Sequence, residues 1–361
     1  MKKSNLVNKA GRNLCMSVCV LASVLFITSC QKDAATNPDS DSSSALNASK
    51  VNNLSLASTA STKTFLSVSL KVTAPLNLIN AHDITISGDS INGGKIACIS
   101  LYNCYNIHIT KCKLVNGSGL NGVGINMNAC TNVVVDSCYI GNVASGVYAY
   151  QSQNIKVKNN QMRNMVGPLW RGQFVQFNSV TGGGNRISNN LCENIKGQSN
   201  CEDGISLYNS SGTSTDPIYV LSNSIRGGGP SITGSGVTLG DHGGNYIVAA
   251  YNIIVTPGYV GMHVAGGTNI LMSTNTIYSD ATPSSHLGLG YGNYSPSIPS
   301  NNITINLNKV HWMVGLPSDV SKGMKEFDSY YQGAIPTGWS TNVSSAAIAA
   351  SVLPTKLITW N

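Results

Sequence analysis

One short pattern returns along this chain every twenty to thirty-odd residues, and few folds tolerate that. Residues 106–114 read Asn-Ile-His-Ile-Thr-Lys-Cys-Lys-Leu, and residues 132–140 read Asn-Val-Val-Val-Asp-Ser-Cys-Tyr-Ile. Residues 154–162, 269–277 and 302–310 repeat the pattern, and looser copies occupy 83–91, 186–192, 218–225 and 247–254. One position in each unit is a small polar residue or a thiol: Asp89, Cys112, Cys138, Asn160, Asn190, Asn223, Asn252, Asn275 and Asn308. The steps between them are 23, 26, 22, 30, 33, 29, 23 and 33 residues. The apolar residues alternate in short runs separated by Gly and Asn turns, which specifies strands; a helix pair would need longer periodic stretches. The pattern therefore predicts an all-β fold, a parallel β-solenoid of about nine coils, in which residues one period apart become neighbours.

Residues 74–310, and the stacked Asn position above all, resemble the right-handed parallel β-helices of the pectin-lyase-like superfamily. That resemblance implies a right-handed winding whose internal amides hydrogen-bond turn backbones and one another along the axis. Cys104 and Cys130, like Cys112 and Cys138, are 26 residues apart, equal to the local repeat. They are expected to stack on adjacent coils as reduced thiols. The repeat is read as 71–310 and the remainder, 311–361, as a C-terminal cap over the exposed solenoid end, with a helix at 319–332 and Trp312 and Trp339 packed within it.

The first thirty residues read as an export signal. Lys2, Lys3, Lys9 and Arg12 precede an apolar run at 15–27, too short for an ordinary membrane span. Ile27-Thr28-Ser29-Cys30 looks like a bacterial lipobox. The resemblance implies a signal peptide at 1–29, lipidation of Cys30 and a protein anchored to a bacterial outer membrane, on its periplasmic or cell-surface side. Residues 30–70 then form a Ser- and Asn-rich tether that cannot bury enough apolar surface to order itself. The chain carries 22 Lys+Arg against 15 Asp+Glu. Without the four basic residues of the signal the excess is only 3, which gives no argument for nucleic acid. No Cys-x-x-Cys or clustered His/Cys spacing suggests zinc.

A second strand precedes each repeat unit, as in Gly204-Ile-Ser-Leu-Tyr208. With the apolar residues turned inward, Ser100, Asn126, Tyr148, Gln176, Ser206, Thr238 and His263 form one outward column. Tyr102, Asn128, Tyr150, Asn178 and Tyr208 form another. Successive coils lie about 4.8 Å apart. The columns therefore make a polar, aromatic strip suited to a polysaccharide, or simply a solvated sheet face. The longest coils place loops 167–173, 196–203 and 226–235 at the mouth of this strip.

Glu202 and Asp203 are adjacent acids in a chain only 10% charged. They lie at that mouth, with Gln173, Arg171, Lys196 and Arg226 expected nearby. Three readings stay open. In a glycoside hydrolase, the pair shares acid and base work, one carboxyl kept protonated. In a polysaccharide lyase, the pair holds Ca²⁺ and Arg171, Lys196 or Arg226 takes the proton; the hydrolase needs no cofactor. In the third, Asp203 caps the turn and Glu202 is solvated; for the protein as a whole, a non-catalytic glycan-binding surface lipoprotein is the alternative from another class. The sequence places the enzyme ahead of the binding protein, the hydrolase ahead of the lyase, and expects a monomer. Asp241-His242-Gly243 loosely resembles the Gly-His-Gly of polygalacturonase-like hydrolases. Alignment sets Asp203 and Asp241 at opposite ends of a strand, approaching 20 Å apart at about 3.3 Å per residue. That exceeds the roughly 5–9.5 Å of a catalytic pair. His263 is expected to project outward in mid-strip, to bind sugar or move a proton.

Overall fold

The computed structural model describes residues 69–231, 234–313, 325–329 and 333–360. They fall within one unit of the chain, Ser44–Asn361. The signal sequence, Cys30 and the tether up to residue 68 lie outside the described residues.

Each of the nine repeat units is a pair of strands with a corner between them, as in Tyr105–Thr110 with Lys113–Gly117, or Thr131–Asp136 with Tyr139–Val143. A third strand precedes each pair, so every coil has three faces and the chain winds as a right-handed parallel β-solenoid. One face is an 11-stranded parallel sheet running from Lys71–Thr73 to Val343–Ser344. The other two faces merge into an 18-stranded sheet, because Ser235–Ala250 passes round their common corner without a break. Side chains alternate in and out with period two. Ile99, Leu101, Ile125, Met127, Val147, Ala149, Val175 and Phe177 point inward and are fully buried in one continuous core.

The ladder position behaves as the sequence implied and shows why thiols are tolerated there. Asn160, Asn190, Asn223, Asn252, Asn275 and Asn308 are buried. Each donates its amide to a backbone carbonyl of the preceding coil and to the amide oxygen of the next Asn; Asn223 reaches Ile187 O at 2.9 Å and Asn252 Oδ1 at 3.0 Å. Cys112 and Cys138 donate their thiols to the equivalent carbonyls, Ile86 O and Ile109 O. Cys98, Cys104, Cys112, Cys130, Cys138, Cys192 and Cys201 are all unpaired and buried. A second amide column, unrecognised in the sequence, runs along the outer corner. Asp83, Asn106, Asn132, Asn154, Asn269 and Asn302 open their repeat units with φ between 51° and 56°. Asn is one of the few side chains that visits this left-handed region readily. Asn106 bonds Asp83, and Asn132 bonds Asn106, from coil to coil.

The end of the chain differs from expectation. The described residues of the supposed helix at 319–332 are a strand, Lys325–Ser329, paired in parallel with Leu287–Tyr291. The winding does not stop at Val310: Asn342 continues the Asn ladder, bonding Asn308 and Ile305 O, and Val343–Ser344 adds a rung. Trp312 lies in the core, and Trp339 packs edge-on against Tyr291 and Phe327. Residues 348–360 then run back along the outer face of the 11-stranded sheet as a strap. Ile348, Leu353, Leu357 and Ile358 are buried there with Tyr139, Val255 and Tyr278, and Trp360 stacks on Tyr139.

Candidate functional site

Backbone pairing reproduces the strip. Ser100, Asn126, Tyr148, Gln176, Ser206, Thr238 and His263 are consecutive register partners. The second column, Tyr102 to Tyr208, follows in the same register. The strip is not uniformly open. Ser100, Asn126, Tyr148 and Gln176 are partly accessible, whereas Ser206, Thr238 and His263 are buried. The Tyr148 and Tyr150 rings lie parallel, 6.5 Å apart. Tyr208 stacks on His242 at 5.1 Å.

Glu202 and Asp203 sit where adjacent loops press close together. A Cβ at Gly172 would lie 2.7 Å from Glu202 N, and one at Gly234 would lie 1.9 Å from Glu202 O. Only glycines let the loops on either side close over the acid pair. Asp203 Oδ1 accepts three hydrogen bonds from the next coil: Ser235 N at 2.8 Å, Ser235 Oγ at 2.7 Å and Thr238 Oγ1 at 2.9 Å. Its Oδ2 has no hydrogen bond among the described residues, and the residue as a whole is partly buried. Burial pushes the Asp203 carboxyl up to about 7, against the lowering effect of Ser235 and Thr238. Glu202 Oε2 accepts from Ser231 Oγ at 2.8 Å.

Asp241 pairs with Tyr208 across a bulge, and burial raises its carboxyl above the ordinary range. Because the Asp203 carboxyl reaches Thr238, only three residues separate it from Asp241 along the strand, about 10 Å at 3.3 Å per residue. That is about half the spacing expected from the strand ends, and the bulge between Ser206 and Tyr208 shortens the path further. His242 is exposed with φ 54° and contacts Ser295 Oγ; Asp241 and His242 lie at a bulge within the strand Ser235–Ala250 and not in a turn.

Several candidates stand elsewhere. Gln173 is 2% exposed and bonds Ser145 Oγ and Trp170 O; it anchors loop 167–173 instead of facing a substrate. Arg226 is bound by the strap, donating Nη2 to Ala350 O and Leu353 O. Neither a substrate role nor a base role is open to it there. Lys196 is exposed on its loop. Arg171 lies toward the start of the strip, its guanidinium 4.2 Å over the Tyr148 ring. His263 is 1% exposed, not an open strip residue; Tyr294 covers it, ring centroids 5.2 Å apart. Among the described residues neither of its ring nitrogens has a hydrogen-bond partner, and burial lowers its pKa to about 4. The covering segment 292–298 carries no repeat, so alternation alone could not reveal it.

For Ca²⁺, the donor set is short. Among the described residues no three His, Cys, Asp or Glu side chains converge on one point, and Asp203 Oδ1 is already occupied by three donors. Calcium takes six to eight oxygens, so these residues do not fit it.

A family model described as right handed beta helix region matches residues 75–250. No curated protein matches the chain. Among solved structures the chain is similar to a tailspike protein of E. coli bacteriophage HK620, at 12% identity and TM-score 0.38, covering 78% of this chain and 61% of that one. It is also similar to a DFA-IIIase from Arthrobacter chlorophenolicus A6, at 12% identity and TM-score 0.35, covering 76% and 70%. A third is the catalytic domain of a GH87 alpha-1,3-glucanase, at 10% identity and TM-score 0.31, covering 78% and 64%. This chain thus spans less than two thirds of the tailspike and glucanase chains.

Proposed function

We propose that this solenoid acts on polysaccharide as a glycoside hydrolase, with Asp203 as the proton donor and Glu202 as its carboxylate partner. One observation carries the reading. Asp203 is an acid whose carboxyl burial lifts to about 7, with one oxygen fixed by three donors and the other without a hydrogen bond among the described residues, in a residue only partly buried at the mouth of the strip. Such a group keeps its proton near neutral pH and can deliver it to a glycosidic oxygen. The Ser235 and Thr238 bonds fix its direction, and the accessible upstream half of the strip, Ser100 to Gln176, offers hydroxyl, amide and phenol groups along which a glycan chain would lie. Anchoring of Cys30 in an outer membrane would present this strip outside the cytoplasm.

A non-catalytic glycan-binding protein is the second reading. It is favoured by the same three bonds, which also make Asp203 a cap joining two coils. A lyase is less well supported, because Arg171 and Arg226 are turned elsewhere and the acid pair does not suit calcium. The test is a panel of glycans incubated with the protein with and without EDTA. New reducing ends without unsaturated products, lost in Asp203→Asn and Glu202→Gln, are expected. Unsaturated products would establish a lyase, and retention without products a binding protein.

A further inference from the structure

We propose that Arg171 and the groove beside it form a subsite for an anionic group, a carboxylate or a sulfate ester, carried on a sugar. The site is built from loop 167–173, which also packs against the acid pair through Gly172. Arg171 N bonds Pro168 O at 2.8 Å, Gly172 N bonds Ser145 Oγ at 2.9 Å, and Gln173 bonds Trp170 O, so the loop is fixed at both sides of the arginine. Among the described residues the guanidinium is held over Tyr148, its Nε is buried without a hydrogen-bond partner, and it makes no ion pair. A partly buried guanidinium without a counter-ion is costly, and its fork matches an oxyanion.

Arg171 lines a groove of about 350 Å³ with Ser100, Asn126 and Asn77 on its polar side and Ile96 and Leu120 on its apolar side. No acidic side chain lines it. Amides and a hydroxyl suit ring hydroxyls, and apolar walls suit the carbon face of a sugar. Tyr148 stands two coils before Ser206 in the register, about 10 Å at 4.8 Å per coil. One oligosaccharide could therefore place its charged group here and a glycosidic bond near Asp203. The sugar part rests on the polysaccharide reading; the anion part rests on Arg171 alone.

The test has two parts, both on the full chain. The Nε–H resonance of Arg171, assigned by its loss in Arg171→Lys, is followed by NMR during titration with sodium glucuronate, glucose 6-sulfate and glucose. Saturable movement with either charged sugar and none with glucose is expected. No movement with either charged sugar, or equal movement with glucose, overturns the site. Retention is then measured on neutral and anionic polysaccharides. Retention of an anionic polymer, weakened about tenfold or more by Arg171→Gln and suppressed by salt, supports the proposal. Retention of neutral polymers alone, unchanged in Arg171→Gln, overturns it and leaves the polysaccharide reading standing. No retention of any polymer, with the NMR response intact, removes the polysaccharide reading and keeps an anion site.

Discussion

The Thr238 hydroxyl donates to Asp203 Oδ1 at 2.9 Å across the boundary between two coils. A residue of the outward column thereby holds an acid of the adjacent loop, and the strip and the acid pair form one unit. Ser235 completes the hold through its backbone N–H and its hydroxyl. Asp203 is both cap and candidate acid, and its titration should separate the two roles.

The Asp203 carboxyl is raised in the folded state from an ordinary value of 3.8 to about 7. Between those values the folded protein holds a proton that the unfolded chain has released. Its contribution to stability is full below pH 3.8, declines as pH rises, and is gone above about 7. Asp203→Asn keeps an oxygen for Ser235 and Thr238 and cannot titrate. Thermal unfolding across this window should lose the Asp203 component in the variant, and hydrolysis should fall by roughly a hundredfold or more. An unchanged rate would leave Asp203 a cap only.

The solenoid was legible because its causes are local and repeated. Alternation fixes each strand, and a small polar residue per coil marks the ladder, so Ser100 through His263 align in register as the sequence implied. Exposure was not legible. His263 and Gln173 occupy their expected positions, but loops without repeats cover them, and burial depends on the path of residues 167–173 and 292–298. Arg226 was misread for a related reason. Its partners, Ala350 and Leu353, are 124 and 127 residues away, in a strap with no periodic signal.

The Asn ladder makes a graded prediction. Asn223 accepts from Asn190 N and Asn190 Nδ2 and donates to Ile187 O and Asn252 Oδ1. Asn223→Ala strands several of these groups in the core and should cost about 3 kcal/mol, since each unsatisfied buried group costs roughly 1–3. Asn223→Cys keeps a donor for Ile187 O, as Cys112 and Cys138 do for Ile86 and Ile109. It should cost clearly less. Denaturant unfolding of both variants measures the difference, and equal losses would refute the equivalence of thiol and amide at this position.

The strap should be separable from the coils it covers. Besides the Arg226 bonds, Leu357 N donates to Glu193 Oε1, and Thr359 N and Trp360 N donate to Gln161 Oε1. Arg226→Met keeps the apolar stem and removes the donors to Ala350 and Leu353. Hydrogen exchange at 348–360 should then quicken while the Asn-ladder coils keep their protection. Exchange unchanged throughout would mean that the apolar contacts of Leu353, Leu357 and Ile358 hold the strap unaided.

His263 opposes Asp203 in the same pH range, and this makes both measurable. Its pKa is lowered from 6.5 to about 4 by burial, so the unfolded chain takes up a proton in that interval that the folded protein refuses. Its contribution is present above pH 6.5 and is lost as pH falls through about 4, the reverse of the Asp203 trend. Where the two windows overlap, the slopes partly cancel in the unmodified protein. His263→Leu removes an imidazole whose nitrogens have no partner among the described residues and substitutes an apolar side chain beneath Tyr294. It should stabilise the fold by about 1 kcal/mol or more near neutral pH, where the unbonded polar group is the whole cost. The gain should grow at about pH 5, where the refused proton adds to it. Thermal unfolding of the variant across that range should then show the Asp203 slope uncovered, stability falling as pH rises. A gain that does not change between about pH 5 and pH 8 would mean that His263 titrates normally in the folded protein, and that Tyr294 does not seal it from water.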